Sequence, residues 1–446
     1  MKILFILPGI GKKTNERYLR SWLMEPLTIA VLKKLTPLKY ETAFYDDRIE
    51  GIDYDLDCDV VAITIETYTA KRAYEIADRF RLRGKIVIAG GYHTTLCPDD
   101  VAAHADIVLT GNAESVWANI LNDIEEGHYK SHYQGETSLD YGLPDRSIYA
   151  GKMKKYLPIS LVEVGRGCHH RCEFCSIAAY YKSCYQHRRI EDIVAEIKAS
   201  KHKLFFFVDD SIFSDKQFAK ELFQEVAKLH ITWTTQITLD IARDEELLAL
   251  MKKSGCLLVL IGFESINAGN LEQMNKAWSE RLGERDAIVK RIHDAGISIY
   301  ASFVFGFDDD CEATFAEVLN FSLKHRFFVT AFNHLLAFPN TETYSRFQRE
   351  QRLISQQWWL ENDYRYGTIS FNPALVTAAE LSAICGKYKH KFYTFKSIFQ
   401  RVPALWQRTK NLKLHAAYWF VNILFHFEVD KRLGIPIGKN LDEAKK

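Results

Sequence analysis

The chain has 446 residues, with 58 lysines and arginines against 57 aspartates and glutamates and a formal net charge of +1. That length is about two to four domains' worth, and the near-neutral balance gives no sign of the basic excess by which proteins hold nucleic acid. Nine cysteines, scattered apart from one cluster, are too few for a disulfide scaffold and point to reduced thiols in a cytoplasmic protein.

The opening run Met1 to Leu7 is apolar but is stopped by Pro8 and Gly9, so it reads as a buried first strand and not a signal peptide. Further apolar runs follow at Glu41 to Tyr45, Val60 to Ile65, Lys85 to Ala89 and Ile107 to Leu109, each trailed by a helical pattern. Strands alternating with helices predict a parallel, doubly wound (flavodoxin- or Rossmann-like) α/β domain over residues 1–135. In such a sheet ligands sit where strand ends meet loops. The loops of interest are Pro8 to Trp22, Glu66 to Thr69, Gly90-Gly91-Tyr92-His93-Thr94-Thr95 and Gly111-Asn112-Ala113-Glu114-Ser115.

From about Asp123 to Lys155 the pattern loosens, with Gly135, Gly142 and Pro144 interrupting any helix. Residues 136–155 are taken as the linker. A second alternation occupies 156–338, with strands at Ile159 to Val164, Leu204 to Val208, Thr232 to Ile237, Leu257 to Ile261, Ile299 to Phe305 and Thr330 to Leu336. Amphipathic stretches such as Ile190 to Lys201, Asp215 to Leu229 and Arg285 to Ala295 separate them. Six such units predict a partial (β/α)6 TIM barrel, whose chemistry belongs at the carboxyl ends of its strands. Residues 339–446 read as a mainly helical extension. Within it, His415 to Phe427 is apolar enough to lie on a membrane surface or a lipid tail, but the expectation is a helix packed on the barrel, because an apolar face usually means core. No run reaches the roughly 20 apolar residues of a spanning helix.

Just past the first barrel strand stand Cys168, Cys172 and Cys175, spaced Cys-x3-Cys-x2-Cys. Three thiolates on one loop can hold three corners of an iron–sulfur cube and leave the fourth iron open. The alternative is a zinc site completed by His169, His170 or Cys184. The run Gly165-Arg166-Gly167-Cys168-His169-His170-Arg171-Cys172-Glu173-Phe174-Cys175 closely resembles the cluster loop of radical S-adenosylmethionine (SAM) enzymes, including the aromatic Phe174 before the last cysteine. The resemblance implies a 4Fe-4S cluster whose open iron binds SAM, an electron donor such as flavodoxin or ferredoxin, and cleavage of SAM to a 5′-deoxyadenosyl radical that acts on a small-molecule substrate.

Other positions are similar to the same family one at a time. Asp209 and Asp210 end the second barrel strand, where the family places groups near the amino end of SAM; either could instead cap the next helix. Gln236 and Asp240 resemble contacts to the ribose or methionine part. Glu264, in Gly262-Phe263-Glu264-Ser265, matches a Gly-x-Glu-Ser signature, and Phe305-Gly306-Phe307 looks like the backbone segment along the adenine.

A doubly wound domain ahead of such a barrel resembles the cobalamin-binding subclass, which implies cobalamin as a further cofactor. There Gly90, Gly91, His93 and Thr94 match the subclass's glycine-rich loop, and Gly111-Asn112-Ala113-Glu114 matches its companion loop in part. The chain has no Asp-x-His-x-x-Gly, so no histidine from that motif is expected on cobalt, and His93 is expected as a loop contact. The resemblance implies methylation of an unactivated carbon. Its alternatives are rearrangement, cyclisation or oxidation with cobalamin in another role or absent, and a non-catalytic iron–sulfur regulatory module. The substrate is not legible, although 13% aromatic residues and the apolar tail fit a hydrophobic compound as well as they fit a large core.

Overall fold

The computed structural model describes residues 1–439. Six parallel strands form the first sheet: β1 (Lys2–Leu7), β2 (Glu41–Asp46), β3 (Val60–Thr64), β4 (Ile86–Gly90), β5 (Ile107–Thr110) and β6 (His132–Gln134), in the spatial order β2-β1-β3-β4-β5-β6. Strand residues alternate between its faces. Leu4, Ile6, Val61, Ile63, Val87 and Ala89 pack on one side with the helix Ala70–Arg81. Ile3, Phe5, Val60, Ala62, Ile88 and Leu109 pack on the other with the helices Leu27–Leu35 and Trp117–Glu125. Burial on both faces explains why these strands are nearly continuous apolar runs.

The segment expected as a linker is docked onto this first unit. Within it Tyr149 is buried and its hydroxyl donates to the Pro26 carbonyl at 2.6 Å; just before it β6 pairs with β5, and just after it the Tyr156 hydroxyl donates to Asp46 at 2.9 Å. A loop rich in glycine and polar residues can still be ordered when its aromatic side chains find a core.

The second sheet contains β7 (Ser160–Glu163), β10 (Leu204–Val208), β11 (Thr232–Ile237), β12 (Cys256–Glu264), β13 (Ser298–Phe305) and β14 (Val329–His334), parallel throughout and ordered β14-β13-β12-β11-β10-β7. This is an open, six-stranded partial barrel. One face is fully buried under the helices, with Phe205, Phe207, Trp233, Val259, Ile261, Ile299 and Phe303 at its centre. Alternate residues such as Phe206, Gln236, Leu260, Ser302 and Val304 are only half-buried, so they face the hollow of the barrel. Between β7 and β10 a two-stranded antiparallel ribbon, β8 (Gly165–Gly167) with β9 (Tyr185–His187), brackets the three-cysteine loop.

After β14 the chain serves both units. Trp358, Trp359, Tyr364 and Ile437 are buried in one face of the first sheet, while the helices Ala378–Phe392, Phe395–Arg408 and Leu412–Arg432 follow, the first of them bringing Leu381, Cys385 and Phe392 into the core of the second. No helix among the described residues is long and apolar enough to cross a membrane.

Candidate active site

The carboxyl ends of both sheets face one another across a cavity of 370 Å³. Thr64, Gly90, Gly91, Tyr92, Asn112 and Glu114 line it from the first unit, and Glu163, Arg166, Tyr180, Tyr181, Asp209 and Asp210 from the second. Gly91 makes this geometry available: its φ is +106°, and a Cβ there would lie 2.7 Å from the Ile65 carbonyl oxygen. The turn lets β4 pass directly into the short helix Tyr92–Leu96.

That turn also corrects two expectations. His93 and Thr94 do not line the cavity. The His93 ring points into the interior, 3.0 Å from the Tyr74 hydroxyl and 3.4 Å from Asp100, with Trp359 packed edge-on against it. Thr94 is fully buried, and its hydroxyl has no partner. One residue past Gly91, the helix turns these side chains beneath the sheet, and Tyr92 takes the cavity side. Its ring meets Tyr180 at 4.8 Å and Tyr181 at 6.5 Å. Among the described residues no histidine, cysteine or methionine lines the cavity.

Glu114 is bound across the cavity to Arg166, at 2.8 Å. The same guanidinium holds Glu163 with two bonds, 2.6 and 2.8 Å, and Glu163 accepts from Tyr141 at 2.8 Å. One arginine next to the cysteine loop is therefore fixed in its own unit by a bidentate pair with Glu163 and reaches the other unit through a single ion pair to Glu114. Its place in the Gly165-Arg166-Gly167 run was visible in sequence, but its partner 52 positions earlier was not.

The cysteine loop leaves the ribbon at Gly167, whose φ is +88° and whose Cβ, if present, would sit 2.0 Å from the Cys184 carbonyl oxygen. Gly167 N–H donates to Asp210 at 2.8 Å. Burial raises Asp210 to about 6, so it is poised near neutrality. Asp209 is committed elsewhere: it accepts from the Tyr185 hydroxyl at 2.9 Å and from Ser211 N–H at 2.7 Å, and burial holds it well above the usual carboxylate range. Neither caps the next long helix, Lys216–Ala227; Asp215 does, accepting from Phe218 N–H at 2.9 Å.

All three cysteine side chains are partly accessible. Burial raises Cys168 and Cys175 and pushes Cys172 up to about 12, and the thiols are close enough that Cys175 and Cys168 add to the rise at Cys172. Thiols so poised ionise only against strong positive charge, which a set of irons provides. Zinc needs four donors about one point. Among the described residues no three His, Cys, Asp or Glu side chains converge on a single ion position; Cys184 is exposed, and the His170 ring is stacked on Trp278 at 4.0 Å. An iron–sulfur cube asks for one thiolate per iron at separate corners, and three cysteines on one loop can supply them.

Around the loop, Phe174 meets Phe307 edge-on at 5.9 Å. Glu173 is pinned by Arg346 at 2.9 Å and by the Thr343 hydroxyl at 2.8 Å, so the extension after β14 anchors the loop. At the end of β12, Glu264 adopts a left-handed backbone, φ +63°, and accepts from Lys276 at 3.2 Å; the ammonium also donates to the Gly262 carbonyl at 2.7 Å. Burial opposes the Lys276 charge, but Glu264 and Cys172 outweigh it and its pKa lies above the ordinary value. Lys276 carries no motif, and sequence reading missed it. Asp240 bonds the Thr238 hydroxyl, and Gln236 lies on the half-buried face of the sheet, in register with Leu260. Phe305 points away from the hollow, stacked on Phe315 at 3.7 Å, so only the backbone of Phe305-Gly306-Phe307 could meet a ligand there. Asp310, also unforeseen, fixes that backbone by accepting from Gly306 and Phe307 N–H at 2.8 and 3.1 Å.

A doubly wound sheet whose loops face an open parallel barrel, with three thiols at the join, defines a class of cofactor-bearing enzymes. A family model described as the radical SAM superfamily matches residues 162–322. Bacteriochlorophyllide d C-12(1)-methyltransferase of Chlorobaculum tepidum is 31% identical over 420 residues, covering 90% of this chain and 88% of that protein. Bacteriochlorophyllide d C-8(2)-methyltransferase of the same organism is 29% identical over 356 residues, 75% of this chain and 78% of that one. The fold also matches the radical SAM methyltransferase TsrM of Kitasatospora setae, solved with cobalamin and a 4Fe-4S cluster bound, with a TM-score of 0.63 over 92% of this chain and 91% of that chain at 16% identity.

The chain belongs to the radical SAM superfamily and is an enzyme of its methyltransferase family, with a fold shared with the cobalamin-bound methyltransferase above. Membership implies a 4Fe-4S cluster, SAM and an electron donor.

Proposed function

We propose that this enzyme transfers a methyl group to an unactivated carbon of a large, apolar small molecule, with a bacteriochlorophyllide-type tetrapyrrole as the first class to test. The observation that carries the reading is the cavity between the sheet ends, lined by Gly165 and Arg166 just before the loop of three thiols and by Tyr180 and Tyr181 just after it; the 31% identity to a bacteriochlorophyllide methyltransferase supports the substrate class.

In this reading Cys168, Cys172 and Cys175 hold three irons by one thiolate each. The bound cluster and SAM supply a one-electron route to a hydrogen-abstracting radical, and cobalamin in the cavity supplies the methyl group. The chain's own residues position and shield. Phe174 and Phe307 wall the loop from solvent. Asp210, Gln236, Asp240 and Glu264 with Lys276 ring the hollow with polar groups for the charged and hydroxylated parts of SAM. Gly90, Gly91 and Asn112 offer close backbone approach to a bulky ring system, and Tyr92, Tyr180 and Tyr181 provide an aromatic wall between that cavity and the cysteine loop.

The test is an anaerobic reaction of reconstituted enzyme, hydroxocobalamin, reductant and SAM labelled in its methyl group. Labelled methyl in a bacteriochlorophyllide product, accompanied by 5′-deoxyadenosine and S-adenosylhomocysteine, is expected. Formation of 5′-deoxyadenosine with an unlabelled, rearranged or oxidised product would refute methyl transfer.

A further inference from the structure

The helices Phe395–Arg408 and Leu412–Arg432 lie side by side in opposite directions, as three ring contacts show: Phe395 to His426 at 4.3 Å, Phe399 to Trp419 at 5.0 Å and Trp406 to His415 at 3.8 Å. Their inner faces are satisfied, with Ile398, Leu405, Leu414 and Tyr418 buried in the core of the second unit. The expectation of a helix packed on the barrel therefore describes only one side of the pair.

The outer side is apolar as well. On the second helix Leu412, Ala416, Phe420, Ile423 and Phe427 are exposed, and their spacing of three and four residues makes one continuous stripe. On the first helix Phe395, Phe399 and Trp406 form a parallel stripe, joined to the other where Phe395 meets Phe427 at 6.5 Å. Phe399, Phe420 and Phe427 are 61%, 49% and 58% exposed. A single exposed phenylalanine needs no explanation, but two adjoining stripes of them mark an interaction surface.

Charge indicates what meets it. From Leu381 to Phe427 the chain contains no aspartate or glutamate. Lys396 and Lys413 on the two helices and Lys410 in the turn between them are exposed, and Arg20 of the first unit reaches over the Phe420 ring at 5.9 Å. Interface cores between protein copies are depleted in lysine. Aromatic rings flanked by lysines suit instead the headgroup layer of a bilayer, the rings entering the acyl boundary and the ammonium groups meeting lipid phosphates.

We propose that this two-helix face docks the enzyme on the surface of a membrane carrying anionic lipids, lying in the plane of the interface without crossing it. The surface is separate from the cavity and cysteine loop and does not depend on the methyl-transfer reading.

The test is flotation of the full chain, purified anaerobically, with vesicles of phosphatidylcholine mixed with phosphatidylglycerol and with phosphatidylcholine alone. Binding to the mixed vesicles that falls as salt rises is expected. The triple variant Lys396→Gln, Lys410→Gln, Lys413→Gln should lose about a hundredfold in vesicle affinity, with its circular dichroism and its SAM cleavage unchanged. The triple variant Phe399→Ser, Phe420→Ser, Phe427→Ser should lose binding altogether. Absence of binding by the unmodified chain, equal binding to both vesicle types, or indifference to the lysine substitutions would overturn the proposal. So would a dimer in sedimentation that the phenylalanine substitutions dissolve, which would assign the face to a second copy.

Discussion

Arg166→Met is the substitution whose consequence can be worked most fully from the geometry. The guanidinium is 19% exposed, and its two partners, Glu163 and Glu114, are 11% and 3% exposed. Removing it strands two carboxylates that face one cavity, with only the Tyr141 hydroxyl left on Glu163. Breaking a buried ion pair from one side costs about 3–5 kcal/mol, and the residual exposure of Arg166 places the expected loss at about 3 kcal/mol. Urea unfolding of the anaerobic protein, followed by tryptophan fluorescence, reads it directly, since Trp117 reports on the first unit and Trp233 on the second. Adding Glu114→Gln should recover about 1–2 kcal/mol by removing one stranded charge. Lysine should not rescue, because a point charge cannot reproduce the bidentate fork. A loss under about 1 kcal/mol, the size of an exposed salt bridge, would refute the claim that this arginine clamps the two units.

Three further outcomes follow from the site and the core. Cys168→Ala, Cys172→Ala and Cys175→Ala should each lose iron and abolish 5′-deoxyadenosine formation, whereas Cys184→Ser should retain both, as iron assay and chromatography would show; equal iron loss in Cys184→Ser would make Cys184 a ligand. Lys276→Met should destabilise the protein by about 3 kcal/mol through the stranded Glu264, and Glu264→Leu in the same chain should restore most of it; a Lys276→Met chain as stable as the original would contradict the pairing. Burial pushes His334 down to about 3, so the folded chain keeps it neutral while the unfolded chain protonates it near 6.5. Its contribution to stability is complete above pH 6.5 and is lost toward pH 3 at about 1.4 kcal/mol per unit. The stability of His334→Phe should therefore fall less steeply than that of the unmodified chain across that range, and parallel pH curves would refute the assignment.

The strands of both sheets were legible because burial on two faces leaves apolar runs such as Ile86 to Ala89, and the helix between each pair repeats at its own period. β6, β8 and β9 were not legible, since three residues such as Gly165-Arg166-Gly167 carry no periodicity and pair only because the fold brings a partner alongside. The cysteine loop stood out by its spacing, and its reading as a cluster loop came from the resemblance that Gly165 to Cys175, with Phe174, bears to a known family. The side each loop residue faces could not: His93 and Tyr92 are neighbours, and the left-handed turn at Gly91 decides which one meets the cavity. Lys276 escaped because its partner Glu264 lies 12 positions away at a strand end, and Asp310, although only four and three positions past Gly306 and Phe307, escaped because an aspartate in a loop carries no motif of its own. The return of Trp358, Trp359 and Ile437 to the first sheet is likewise a tertiary event with no local signal.

The central claim is that Cys168, Cys172 and Cys175 carry a cube with one iron left for SAM. Electron paramagnetic resonance of the reduced, reconstituted enzyme with and without SAM tests it most directly. The account predicts a reduced 4Fe-4S signal whose g values shift when SAM is added. A signal that SAM leaves unchanged, or protein that takes up zinc and shows no cluster signal, would contradict it.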